Sequence, residues 1–157
     1  MFNLPFTYAW EPLVNRDGEP YEFPRAPRAF LPGKVSVYPG IYRWRITPKN
    51  PQEPTKVLIG ESGNLRKRLD HYVHPNSRAM KYWNRMFSKE VRGGAKVECE
   101  LLTFDPFLVR TSCVSRVSVE KSPFVRRLVE NLMLMLSPEE LNVVLLNKGE
   151  DCWTRRS

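Results

Sequence analysis

The sequence predicts an α+β domain, a small antiparallel or mixed β-sheet flanked by helices. Two β-rich runs, KVSVYPGIYRWRI over 34–46 and TKVLIG over 55–60, are joined by the polar loop TPKNPQEP. That is the pattern of an antiparallel hairpin. Two helical stretches follow, and AKVECELLTF over 95–104 reads as a third strand. A last helix opens at Ser122-Pro123 and runs to Leu136, with proline near its start. The coarse order is β-β-α-α-β-(β)-α, and the bracketed strand is CVSRVSV within the ambiguous segment 105–121.

Each element has a local reason. The first run alternates and bends at Pro39-Gly40. Asn64 caps a helix over Leu65–Val73, and His74-Pro75-Asn76 stops it. Residues 77–91 form the next helix, with Met80, Trp83 and Phe87 on its apolar face, and Gly93-Gly94 breaks it. Ser137-Pro138 ends the last helix, and LNVVLLN over 141–147 packs as a buried extended segment or a short helix. Residues 1–37 form a proline-rich arm packed on the domain, 38–150 the domain itself, and 151–157 a basic tail. Seven of the fourteen prolines fall within residues 1–39, and Phe23-Pro24-Arg25-Ala26-Pro27-Arg28 reads as extended chain.

Composition narrows the function classes. At 157 residues the chain buries a real core as one domain. It has no apolar run long enough to span a membrane, and MFNLPFTYAWEPL lacks the basic region and long apolar core expected of a signal peptide. The three cysteines, Cys99, Cys113 and Cys152, are odd in number and widely spaced. That predicts a reducing compartment, cytoplasmic or nucleoid-associated, with neither a disulfide framework nor a zinc site. The net charge of +8 predicts a polyanionic partner. Much of it is local, since residues 66–92 carry eight Lys or Arg against two acids. Arg66, Lys67, Arg78, Lys81, Arg85 and Lys89 are the candidate nucleic-acid contacts, and the alternative for such a stripe is a solvated helix exterior.

Gly40-Ile41-Tyr42, then Leu58-Ile59-Gly60, then Asn64-Leu65-Arg66-Lys67-Arg68 form an ordered set, and ENLMLMLSPEELNVVLL follows later. In order, spacing and residue type, roughly residues 38–147 resemble the GIY-YIG nuclease family. The departure is Leu58, where the family's second motif tyrosine stands; leucine offers no hydroxyl. The resemblance implies a metal-dependent DNA endonuclease that hydrolyses phosphodiester bonds, of a phage, restriction or mobile-element kind. It would use Mg²⁺ or Mn²⁺, one ion per site, on DNA, as a monomer or transient dimer. The other reading is a catalytically impaired, DNA-binding derivative of that fold.

The resemblance implies roles for five residues. Tyr42 would serve as general base or orient water. A phenol with a pKa of about 10 becomes a base only if cations depress it, and Arg68 and a metal are the groups to do so. Its alternative is an inward strand tyrosine beside Trp44. Arg68 would hold the scissile phosphate through its fixed fork of donors. Tyr72, four residues on, shares its helix face and would assist. Glu130 lies in the apolar run LVENLMLML and needs a partner, either a divalent metal or the guanidinium of Arg126 or Arg127. Asn142 is either a site residue or the turn that closes the chain after the helix. Glu61 is a further candidate to orient a basic group.

Overall fold

The structure, a computed structural model, describes residues 8–31, 39–104, 122–137 and 142–148. Residues 34–38 of the expected first strand, the segment 105–121 and the tail 151–157 lie outside them. In chain order the elements are β1 (Tyr8–Pro12), a 3₁₀ turn (Pro27–Ala29), β2 (Gly40–Thr47), β3 (Thr55–Ser62), α1 (Leu65–Val73), α2 (Arg78–Arg92), β4 (Lys96–Phe104), α3 (Pro123–Leu136), β5 (Val143–Leu145) and a second 3₁₀ turn (Leu146–Lys148). The sheet has five strands in the order β1-β4-β2-β3-β5. Its pairs are antiparallel except β3 with β5. This is the expected α+β class with a mixed sheet.

Local chemistry sets the boundaries. The Asn64 side chain accepts a hydrogen bond from the Lys67 backbone at 3.1 Å, which starts α1. Ser77 does the same for α2 through Met80 at 3.2 Å, and Ser122 for α3 through Val125 at 3.4 Å, with Pro123 at the first helical position.

The hairpin register sorts side chains onto two faces. Tyr42 pairs with Gly60 and Trp44 with Leu58. Successive residues of a strand point to opposite faces. Tyr42, Trp44, Ile46 and Leu58 therefore face α1 and α2, where Leu65, Leu69, Tyr72, Met80 and Phe87 close the main core. Ile41, Ile59 and Leu102 face the other way and pack on Val129 and Met133 of α3. Trp44 is the centre of the main core, fully buried among the rings of Tyr21, Phe23, Tyr72 and Phe87.

Two elements differ from expectation. The described part of the proline-rich arm is built into the domain. Strand β1 pairs with β4 along its whole length, and Leu13, Tyr21, Phe23, Phe30 and Leu31 are core residues. Pro12 ends β1 at the sheet edge, a place where a missing N–H is tolerated. A buried ion pair between Arg43 and Glu100 holds the neighbouring strands, and the Trp10 ring covers the Arg43 guanidinium at 4.7 Å. The described part of the segment expected over 141–147, residues 142–147, is extended chain and a short helical turn, but it is exposed or half-buried and not buried. It supplies β5, a three-residue edge strand whose Val144 is exposed, and the 3₁₀ turn after it.

Asn147 extends the β5 edge. Its side-chain amide accepts from the Ile59 N–H at 2.8 Å and donates to the Ile59 carbonyl at 2.7 Å. One side chain thereby pairs both backbone groups of a β3 residue, as a neighbouring strand would. Among the described residues, no helix is long and apolar enough to cross a membrane.

Candidate functional site

The site lies where the sheet ends and α1 begins. Tyr42 points from β2 over Gly60 of β3, so that a Cβ added at Gly60 would lie 2.5 Å from the Tyr42 hydroxyl. The glycine leaves room for the ring. Tyr72 comes from α1, one turn after Arg68, and its hydroxyl lies 3.0 Å from that of Tyr42. The two rings meet edge to face, with centroids 6.1 Å apart. Tyr72 therefore supplies a second hydroxyl beside Tyr42. Leu58, opposite Trp44 in the hairpin, is buried in the main core instead.

Both tyrosines are buried, and burial decides their acid–base character. Desolvation raises the Tyr42 phenol well above its ordinary value, and Tyr72 adds to the rise by charge and by hydrogen bonding. Desolvation also pushes Tyr72 up, to about 12, against lowering by its hydrogen bond with Tyr42 and by Arg68. Arg68 lowers both phenols but does not win. Arg68 by itself therefore does not bring Tyr42 into the range of a base. At neutral pH the pair is two neutral hydroxyls, a hydrogen-bonding unit.

Arg68 is the electrostatic hub. Its charge acts on Tyr42 of β2, Tyr72 of α1 and Glu130 of α3. Glu130 is half-buried on α3 and carries a raised pKa. Desolvation is the main cause and the charge of Glu61 the second, while a Glu61 backbone hydrogen bond, Arg68 and Arg127 pull it down. Both arginines weighed as partners for Glu130 form ion pairs with Glu61. Arg126 Nε meets the Glu61 carboxylate at 2.8 Å, and Arg127 Nε approaches it at 3.9 Å. The Arg126 guanidinium also comes within 3.2 Å of the Cβ position at Gly63, just before α1. Glu61 is thus ion-paired with a guanidinium of α3.

A divalent ion fits this chemistry in a limited way. Among the described residues, no group of three or more His, Cys, Asp or Glu is placed to hold a metal. Glu130 is a hard oxygen donor whose charge is poorly solvated and faces a second carboxylate, so a cation beside it would relieve both costs. Mg²⁺ is commonly held by one or two carboxylates with waters and substrate oxygens completing the shell.

Asn142 is not brought to this site. It is exposed, has a left-handed backbone (φ 58°), and its carbonyl accepts from the Thr55 N–H at 3.0 Å. Thr55 starts β3, about 16 Å along the strand from Gly60. The turn reading of Asn142 is the structural one. Asn147, which sequence reasoning passed over, is the asparagine that holds β3, at Ile59 next to Gly60.

The cations divide as well. Arg66 is half-buried and donates to the Leu31 carbonyl at 3.4 Å, so it ties α1 to the end of the arm. Lys67, Arg78, Lys81, Arg85 and Lys89 are exposed. Helix α2 is fixed to α1 by Asn84, whose side-chain amide donates to the carbonyls of Tyr72 at 2.7 Å and Val73 at 3.3 Å. These are orphan carbonyls at a helix end, so the contact caps α1 and sets the angle of α2 together. A cleft of about 370 Å³ runs beside the site, lined by Glu11, Leu13, Gly40, Leu65, Leu102 and Arg126. It does not include the tyrosines or Glu130.

No family model, no curated protein and no solved structure matches the chain.

Proposed function

We propose that the protein is a metal-dependent DNA endonuclease of the GIY-YIG kind. The observation that carries the reading is the meeting of the Tyr42 and Tyr72 hydroxyls at 3.0 Å, with Arg68 one turn before Tyr72 on α1. Phosphodiester hydrolysis needs a cation at the non-bridging oxygens, an oriented water, and help for the leaving oxygen. In this reading Arg68 binds the scissile phosphate. Glu130 holds one Mg²⁺ or Mn²⁺, which when bound would supply Lewis acidity at the phosphate and the leaving group. Tyr42 and Tyr72, buried and neutral, are positioning residues: they hold the inner side of the site and offer a hydroxyl in place of the one Leu58 lacks. The Arg126–Glu61 ion pair ties α3 to the end of β3. Exposed cations on α2 hold the flanking DNA by its phosphates.

The second reading is a DNA-binding module without catalysis. It is favoured by the burial of both tyrosines and by Leu58. The deciding experiment is incubation of the purified protein with supercoiled plasmid in Mg²⁺, Mn²⁺ or EDTA, beside Glu130→Ala and Arg68→Ala. The nuclease reading expects nicking or linearisation that needs the metal and disappears in both variants. Salt-sensitive binding without any cleavage by the parent protein would establish the module.

A further inference from the structure

The exposed face of α2 is more than a row of charges. Arg78, Tyr82, Arg85 and Lys89 follow one another at spacings of four, three and four residues. That spacing puts them on one side of a helix, over a length of about 16 Å. Tyr82 is 54% exposed in the middle of this row, with Lys81 beside it and Arg92 beyond. The single acid of the helix, Glu90, is taken by Lys56 at 2.6 Å. The face therefore carries cations and one aromatic ring, with no exposed carboxylate of its own helix to oppose a polyanion.

Tyr82 is also held in place. Its ring packs edge to face on Trp83 at 5.0 Å, and Trp83 is half-buried against Phe87 of the main core at 6.3 Å. A braced ring costs little entropy when it is covered by a ligand. Cations alone suffice to follow the backbone of a duplex, whose base faces are stacked inside and out of reach. A ring among those cations has a flat surface to cover only where a base is unpaired.

We propose that this face of α2 binds an unpaired stretch of DNA, with a base stacked on Tyr82 and the flanking phosphates on Arg78, Arg85 and Lys89. The inference rests on the nucleic-acid reading above and gives it a substrate class: DNA with a single-stranded segment next to the position to be cut. Asn84 adds the link to the site. It joins α2 to the Tyr72 turn of α1, so a strand held on Tyr82 lies in a fixed relation to Arg68.

The test is fluorescence anisotropy with labelled oligothymidylate and a blunt duplex of equal length, using the full chain carrying Glu130→Gln so that nothing is cut. Tyr82→Ala is expected to weaken oligothymidylate binding about tenfold or more. It should change duplex binding less than about twofold, and Tyr82→Phe should keep both. Arg85→Gln should weaken both DNAs and lower the salt slope by about one. Tryptophan emission, to which Trp83 contributes, should change when the single strand binds and not when the duplex does. Equal losses on the two DNAs, or no loss on the single strand, would overturn the proposal and leave α2 a duplex-backbone surface. Binding is read without cleavage, so an inactive parent in the plasmid assay does not decide this result. A cleaving parent whose Tyr82→Ala variant binds oligothymidylate normally would overturn this inference alone.

Discussion

Gly60→Ala tests the geometry of the site in one methyl group. Gly60 lies in extended strand, so a glycine is required there for space. The added Cβ would meet Tyr42 at 2.5 Å from the hydroxyl, 2.7 Å from Cζ and 3.1 Å from Cε1. All three are closer than ordinary contact, and Tyr42 is only 2% exposed, so its ring has nowhere to swing. Overpacking of this kind costs about 1–3 kcal/mol. Displacing the ring also loses the Tyr42–Tyr72 hydrogen bond, about 0.5–1.5 kcal/mol. Replacing glycine by alanine returns about 0.4–1 kcal/mol through the unfolded chain. The net expectation is a destabilisation of about 2 kcal/mol, read by urea denaturation at unchanged m-value. The same substitution in a Tyr42→Leu background should be neutral or stabilising, because the three crowded atoms are gone. An equal cost in both backgrounds would refute the placement of Tyr42 over Gly60.

The Glu130 carboxyl gives a pH prediction. Its pKa in the folded protein is raised, chiefly by desolvation, so the folded state binds more protons than the unfolded chain between the ordinary carboxylate range and the folded value. Stability should therefore fall as pH rises through that window, and Glu130→Gln should remove the fall and be more stable than the parent near neutral pH without divalent ions. Mg²⁺ should raise the Tm of the parent and leave that of the variant unchanged; a variant less stable than the parent in EDTA would contradict the cause assigned here. The two asparagines should separate cleanly. Asn147→Ala removes both hydrogen bonds to Ile59 and should cost about 1–3 kcal/mol by urea denaturation. Asn142→Gly keeps the left-handed turn and the carbonyl bond to Thr55, so stability and any plasmid cleavage should persist; loss of cleavage at full stability would restore Asn142 to the site.

The parts legible in the sequence were those carried by neighbours in the chain. Asn64, Ser77 and Ser122 each announce a helix by a side chain that bonds three residues ahead. The hairpin follows from alternation on both sides of a turn-rich loop. Glu130 stood out because a carboxylate in an apolar helix is itself a signal. The parts that stayed hidden depend on partners far away in the chain. Nothing local tells that Tyr72 will meet Tyr42, that Glu61 will claim Arg126, or that Asn147 will pair with Ile59. Strand β1 was hidden for another reason. Proline content argues for irregular chain, and only an edge position lets a strand end in Pro12. The depth at which Tyr42 is buried, which raises its phenol, is likewise invisible in a sequence that shows only the nearby cations.

The order of the strands also bears on how the molecule comes into being. Strand β5 is the last among the described residues, yet it lies against β3, and the Ile59–Asn147 contact joins residues 88 apart. On a ribosome, the outer edge of β3 is made long before its cover. Its unpaired N–H and C=O groups are a template for any other strand in the meantime. Closing so long a loop is a slow step in folding. The nascent chain should therefore be most vulnerable to self-association between the synthesis of β3 and the docking of Asn147, and a weakened Asn147 would show first as poor yield from the ribosome, before any loss in the finished fold.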